Sequence, residues 1–359
     1  MIPVDGLLQS GPARVGKVCA ELPEIPAELA EFSSRNNRLL LAALGEIWPA
    51  VEQALARFGR RRVGIVLGTS TSGIAEGEAA IAAHRASGAL PEAYRYAQQE
   101  LGSPSIFLAR FLGLSGPAYC VSTACTSSAK AFASARNLLC GGLCDAVLVG
   151  GVDSLCKLTL NGFAALESVS SELCNPMSRN RNGINIGEGA ALFLMTRDES
   201  PFALLGVGES SDAHHMSAPH PQGLGAEAAM RSALADAGLR ESDVDYLNMH
   251  ATATPKNDEM ESLAISRVFP EGVFASGTKP LTGHALGAAG ATEAGLCWLA
   301  LRDGFLPPHV WDGEADPALP ALKLVVSGQR FARQSARVCM SNSFAFGGSN
   351  ASLLIGDAP

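Results

Sequence analysis

One thiol, two imidazoles and one ammonium group stand in this chain where the local sequence could put them to chemical use. Cys125 lies in Val121-Ser122-Thr123-Ala124-Cys125-Thr126-Ser127-Ser128-Ala129, an apolar strand running through small residues into a helix. Unpaired amides and the macrodipole at a helix N-terminus favour an anion. The position therefore predicts a lowered thiol pKa and a larger thiolate fraction, and the same amides could hold an oxyanion. Taken alone, the segment reads equally as a buried cysteine at a strand–helix junction.

His250 closes an apolar strand in Asn248-Met249-His250-Ala251-Thr252-Ala253-Thr254-Pro255-Lys256-Asn257-Asp258-Glu259-Met260-Glu261. Rigid strand ends are common places for chemistry in α/β proteins. Asp258 and Glu261 read as groups that cap and pair at the start of the next helix. In Gly277-Thr278-Lys279-Pro280-Leu281-Thr282-Gly283-His284-Ala285-Leu286-Gly287-Ala288-Ala289-Gly290-Ala291-Thr292-Glu293, His284 reads as opening a helix of very small residues. A helix N-terminus and the nearby Lys279 would both favour neutral imidazole. Those small residues predict a tightly packed central helix. In Asn342-Ser343-Phe344-Ala345-Phe346-Gly347-Gly348-Ser349-Asn350-Ala351, two aromatics sit beside Gly347 and Gly348, which permit backbone conformations closed to other residues.

The elements that must position these groups alternate. Strands are expected at 63–68, 118–123, 146–150, 190–195, 202–208 and 244–249, with helices at 127–139 and 226–237. A helix over 38–56 should kink or break at Pro49. Strands at 337–341 and 352–355 should close the chain, antiparallel because their connection is short. Such alternation predicts layered α/β architecture, and a similar rhythm on either side of residue 200 hints at duplication. Residues 1–21 show no clear strand.

The 359 residues are 47% hydrophobic and 17% charged, with net charge −8. That supports a large core and argues against disorder and against a nucleic-acid partner. The nine cysteines show no paired zinc-type spacing, and most read as small buried hydrophobes in a reducing compartment. Neither a secretory leader nor a membrane-length apolar run is visible, so a soluble, cytoplasmic protein is expected. Arg57 with Arg60-Arg61-Arg62 is a candidate basic patch.

Taken in order, the four motifs resemble those of the elongating β-ketoacyl-acyl-carrier-protein (ACP) synthases of the thiolase-like superfamily. That family carries Thr-Ala-Cys, His-Gly-Thr-x-Thr, Lys-x-x-x-Gly-His and Asn-Ser-Phe-Gly-Phe-Gly-Gly-Thr-Asn. The similarity runs from about Val63 to the C-terminus. The Cys-His-His set separates it from chain-initiating synthases, which use Cys-His-Asn. The resemblance implies a five-layered α-β-α-β-α fold from two duplicated halves, here 1–200 with the nucleophile and 201–359 with both histidines. It implies that Cys125 takes the acyl chain from acyl-ACP, and that the amides of Cys125 and Phe346 form the oxyanion hole. His250 and His284 would bind the malonyl-ACP carbonyl and stabilise the enolate left by decarboxylation, giving a 3-oxoacyl-ACP. Lys279 would orient His284 and keep it neutral, and Glu293 would back the site through water to Lys279. Phe346 would gate it, with Gly347 and Gly348 supplying motion. Thr252 and Thr254 would touch the pantetheine arm. No metal or organic cofactor is implied. Partners would be ACP and a second subunit, as a homodimer or as a heterodimer with a related synthase or chain-length factor. The acidic ACP would dock on a basic patch.

The sequence also departs from the pattern. The family's opening Val-Val-Val-Thr-Gly strand is not found. Ala251 and Ala345 replace glycines. Ile184, in Gly183-Ile184-Asn185-Ile186-Gly187-Glu188-Gly189-Ala190, replaces a Phe that often lines the acyl pocket. Segments 34–44 and 68–74 resemble synthases of aryl-polyene pigment clusters. The alternatives are a chain-length-factor-like, ACP-binding subunit that does not elongate, against which Cys125 argues, and a CoA-dependent thiolase, for whose second cysteine Cys339 is a poor match.

Overall fold

Two stretches, Val63–Gly68 and Ala146–Asp153, are buried at every position. Strands of this kind need cover on both faces, and the chain supplies it in layers. A computed structural model describes residues 1–9 and 11–358. The first half contributes β1 (Ile2–Leu8), β2 (Gly11–Val15), α1 (Arg35–Glu46), α2 (Trp48–Phe58), β3 (Val63–Gly68), α3 (Ile74–Ser87), α4 (Ser103–Leu112), β4 (Ala118–Val121), α5 (Ser127–Cys140), β5 (Ala146–Asp153), α6 (Lys157–Ala165) and β6 (Gly189–Thr196). The second contributes β7 (Phe202–Ser211), α7 (Leu224–Ala237), β8 (Tyr246–Asn248), α8 (Pro255–Val268), β9 (Phe274–Ser276), α9 (Lys279–Thr282), α10 (Ala289–Asp303), β10 (Lys323–Leu324), β11 (Val338–Phe344) and β12 (Ser349–Asp357).

One sheet has the order β4-β3-β5-β6 and the other β10-β9-β8-β11-β12-β7. Within the first, β3 is parallel to β4 and β5, and β5 is antiparallel to β6. The second repeats this unit: β8 is parallel to β9 and β11, and β11 is antiparallel to β12. Alternate side chains then face opposite layers. Val66, Val147, Cys339 and Leu353 point inward, onto Phe132 and Ala135 of α5 and Cys297 and Leu301 of α10. Ile65, Leu67 and Leu148 face outward onto Leu40, Leu44, Phe107 and Leu108 of α1 and α4. Leu247, Met340 and Leu354 face Met230 and Ala233 of α7 and Met260 and Ile265 of α8. The result is α-β-α-β-α, with α5 and α10 in the middle. The middle layer is tight: a Cβ on Gly290 would lie 2.8 Å from the Ala129 nitrogen, and one on Gly68 2.2 Å from the Ser128 nitrogen.

The structure differs from the sequence expectations in two places, the N-terminal residues and the start of α10. The helix over 38–56 is broken near Pro49 as expected, into two helices, α1 and α2, bent by 79°. Pro49 lies in the first turn of α2, where its missing N–H costs no hydrogen bond. Ile2–Leu8 and Gly11–Val15 pair as antiparallel strands, β1 and β2, with Ile2 opposite Val15. Pro3 and Gly6 obscure the alternation of β1, and the pair is held by packing of Val4, Leu7, Ala13 and Val15 on Leu155, Leu160 and Ile186. The pair joins neither large sheet. Among the described residues no strand pairs with the outer edge of β6, the place that β7 takes beside β12. The small-residue helix, α10, begins at Ala289, five residues beyond His284. No single helix among the described residues is long and apolar enough to cross a membrane.

Candidate active site

Cys125 is held by a strained turn. Ala124 sits at φ +53°, a left-handed conformation costing about 1–2 kcal/mol for a residue with a Cβ. Its carbonyl accepts from the Ser127 hydroxyl at 2.5 Å and the Ser127 amide at 3.1 Å. The helix proper starts at Ser127, after the N-cap Thr126, so Cys125 lies just before the cap and its own amide is free of the helix ladder. Ser128 anchors the other side, accepting from the Ala291 amide of α10 at 2.8 Å.

His250 follows β8. Glu261 of α8 accepts from the amides of His250 and Ala251, each at 2.6 Å. Asp258 accepts from the amides of Met177 at 2.8 Å and Ala253 at 3.2 Å. These carboxylates are more than helix caps: they hold a loop in which Ala251 and Ala253 both have positive φ, +39° and +63°. Burial pushes Glu261 up to about 7 and Asp258 up to about 6, against the hydrogen bonds that favour their ionised forms.

His284 does not open a helix. Gly283 at φ +75° and Leu286 at φ +49° break the chain on either side, and His284 bridges to Ile186, its amide donating to the Asn185 carbonyl at 2.7 Å. Its Nε2 lies 3.0 Å from Cys125 Sγ. The two imidazoles meet edge to face, centroids 5.3 Å apart. Burial, then the Lys279 charge, holds His284 well below its ordinary pKa. Burial, Lys279 and His284 do the same for His250. Both rings are thus neutral, through desolvation and Lys279 rather than through a helix dipole.

Lys279, 1% exposed, is the hub. It donates to the His250 carbonyl, to Glu293 at 2.5 Å and to His250 Nδ1 at 3.4 Å. Glu293 therefore meets Lys279 directly, without an intervening water. With Nδ1 facing an ammonium, His250 carries its proton on Nε2, the atom free to donate elsewhere. His284 Nδ1 has no partner among the described residues.

The thiol departs from the sequence expectation. Burial pushes Cys125 up to about 12 and Glu293 pushes the same way, while Lys279 and the backbone N–H groups of Cys125 and Phe346 pull it down. Desolvation outweighs the helix end, so the resting site holds a thiol.

A cavity of about 300 Å³ opens over the sulfur and is lined by Cys125, His250, His284, Ile184, Thr252, Thr254 and Phe346, among others. The Thr252 and Thr254 hydroxyls lie 2.9 Å apart on its wall. Gly347 and Gly348 both have left-handed φ, +85° and +79°, so the turn carrying Phe346 needs glycine at two successive positions. The sequence reading did not single out Phe163, whose ring stacks on Phe346 at 5.4 Å. It also missed the loop around Met216 and Ser217. The Met216 carbonyl accepts from the Gly347 amide at 2.9 Å, and Ser217 lines the cavity. Phe163 had a weak signal in Gly162-Phe163; the irregular loop had none.

The arginine group lies elsewhere. It precedes the N-terminal end of β3, whereas Gly68 at the other end abuts the cysteine turn, a strand length of roughly 20 Å away. Arg57 pairs with Asp198, and Arg62 with Asp145. Two of its four cations are thus paired, and none of the four lines the cavity. The ligand atoms of Cys125, His250 and His284 lie within 4.8 Å of one another, a donor set that zinc could also use.

Comparison with known proteins places this geometry. Residues 11–200 match the beta-ketoacyl synthase N-terminal domain and residues 202–311 the C-terminal domain. The chain is 40% identical over 254 residues to nodulation protein E of Rhizobium meliloti, covering 67% of this chain and 62% of that protein. It is 33% identical over 373 residues to the chloroplastic 3-oxoacyl-[acyl-carrier-protein] synthase II of Arabidopsis thaliana, covering 94% and 68%. Among solved structures, the ketosynthase ApeO, in complex with its chain length factor ApeC from Xenorhabdus doucetiae, is 50% identical with a TM-score of 0.95, over 100% of this chain and 90% of that one. A chain of the structure described as the ishigamide ketosynthase/chain length factor gives 28%, TM-score 0.86, over 97% and 88%. With both halves matched and the thiolase-like layers in place, this chain is a member of the beta-ketoacyl synthase family.

Proposed function

We propose that the chain catalyses decarboxylative condensation of an acyl group, carried on Cys125, with malonyl-ACP to give a 3-oxoacyl-ACP. The observation that supports this best is the contact of Cys125 Sγ with the Nε2 of neutral His284 at 3.0 Å. As Sγ attacks the acyl thioester, its proton passes to His284 and on to the departing pantetheine sulfur. The amides of Cys125 and Phe346 take the oxyanion. In the second half, the malonyl carboxylate leaves as CO2 and the electron pair stays on the thioester enolate. His250, with its proton on Nε2, donates to the enolate oxygen, and so does His284 once its ring proton has moved from Nδ1 to Nε2 by exchange with solvent. The carbon then attacks acyl-Cys125, the C–S bond breaks, and the sulfur regains a proton from solvent.

In this reading Lys279, held by Glu293, positions His250, and its charge helps keep both rings neutral. Asp258 and Glu261 hold the His250 loop. Thr252 and Thr254 line the pantetheine path, Ile184 shapes the acyl pocket, and Phe346 gates it on Gly347 and Gly348. The two halves divide at 200/201. The only carriers needed are the substrates' own phosphopantetheine arms, with no metal or organic cofactor. The protein works in the cytoplasm with ACP and a second, related subunit; a chain length factor fits, given the ApeO–ApeC likeness. The sequence resemblance in 34–44 and 68–74 points to aryl-polyene chains as the product class.

The alternative, a non-elongating partner subunit, is disfavoured because Cys125, His250 and His284 are all present and assembled. Incubation with acyl-ACP and malonyl-ACP, alone and with a chain-length-factor subunit, should release CO2 and a product two carbons longer. Cys125→Gln should keep partial malonyl decarboxylation and lose condensation. Activity that needs added zinc, or product formed by Cys125→Ala, would contradict the reading.

A further inference from the structure

The cavity wall that begins at His250 continues outward in steps of two residues. His250 and Thr252 are buried, Thr254 is half-buried, and Lys256 is exposed; all four line the cavity. A substrate whose thioester reaches the histidines therefore lies along two hydroxyls and then meets an ammonium at the mouth. Lys256 makes no hydrogen bond or ion pair among the described residues, unlike most cations of the molecule. The one other charged group in the lining is the exposed Glu167, on the segment after α6. This wall is a polarity gradient, from neutral donors at the base to a positive charge at the rim.

We infer that Lys256 binds the phosphate of the phosphopantetheine arm, a subsite that rests on the condensing-enzyme reading above. The arm has the matching order: a thioester at one end, amides along its length, and a phosphodiester at the other. The chain is acidic overall, at −8, so an anionic substrate gains little from its bulk charge. A single cation on the rim supplies a local attraction that is strongest at low salt. Lysine suits the task, because its compact charge on a flexible stem can follow a phosphate that approaches from solvent.

The test uses two small acyl donors that differ only in the phosphate, an S-acyl phosphopantetheine and the corresponding S-acyl pantetheine. Acylation of Cys125 is followed by thiol release, and the ratio of kcat/KM for the two donors is compared. The wild-type protein should prefer the phosphorylated donor by about three- to tenfold, as one exposed charge-assisted contact allows. Lys256→Gln should bring the ratio close to one, and Lys256→Arg should keep it. A ratio near one in the wild type, or one unchanged in Lys256→Gln, overturns the inference. So does a Lys256→Gln defect seen only with intact carrier protein, because the cation would then read the carrier's surface. If neither donor acylates Cys125 in the wild type, the condensing-enzyme reading itself falls, and this subsite with it.

Discussion

Replacing Lys279 with methionine probes the electrostatics of the site most sharply. Its ammonium lies 3.4 Å from His250 Nδ1 and 2.5 Å from Glu293. At an effective dielectric constant of about 20, a second positive charge at 3.4 Å is repelled by about 5 kcal/mol. That repulsion, added to burial, keeps both rings neutral across the working range. Without it their pKa values rise toward the ordinary one, so the acid limb of the pH–rate profile should move up into the measurable window. The variant should therefore lose more activity at pH 6 than at pH 8. Glu293, left buried without its partner, takes up a proton or destabilises the fold, and breaking a buried pair on one side typically costs about 3–5 kcal/mol. Adding Glu293→Gln should recover part of that stability without restoring the profile. Urea unfolding and malonyl decarboxylation measured from pH 5 to 9 supply both readouts. An unchanged acid limb, with a stability loss below about 1 kcal/mol, would refute the role given to Lys279.

Other consequences follow from single distances and angles. Ala251→Gly relieves a side chain held at φ +39° and should stabilise the protein by up to about 1 kcal/mol in urea unfolding. Gly68→Ala places a Cβ 2.2 Å from the Ser128 nitrogen; it should cost more than about 4 kcal/mol and prevent accumulation of folded protein. Because burial holds the Cys125 thiol near about 12, the rate of its alkylation by iodoacetamide should climb steadily from pH 7 to 10; a plateau near neutral pH would show a stable thiolate instead.

Much of this was legible in the sequence, for identifiable reasons. The strands at Val63–Gly68 and Ala146–Asp153 are continuous apolar runs because both faces are covered, and such runs are visible without tertiary information. Cys125, His250, His284 and Lys279 stand in motifs of small residues that leave little other reading once all are taken together. Tertiary electrostatics was hidden. The thiol's helix-end position argued for a thiolate, but the burial that reverses this comes from α10 and the second half of the chain. His284 looked like a helix start because Ala and Gly follow it, and the break lies in the left-handed Leu286, an unusual place for a leucine. The β1–β2 pair was hidden by Pro3 and Gly6 and is secured by residues from 155–186. Phe163 meets Phe346 across 183 positions of sequence, a pairing no local pattern shows.

The claim on which everything else depends is that Cys125 carries the acyl chain. Intact-mass and peptide-level mass spectrometry after incubation with a panel of acyl-ACPs tests it most directly. The account predicts one acyl adduct per chain, on Cys125, absent from Cys125→Ala and discharged on adding malonyl-ACP. An adduct on another residue, or a Cys125→Ala protein that still acylates and condenses, would contradict it.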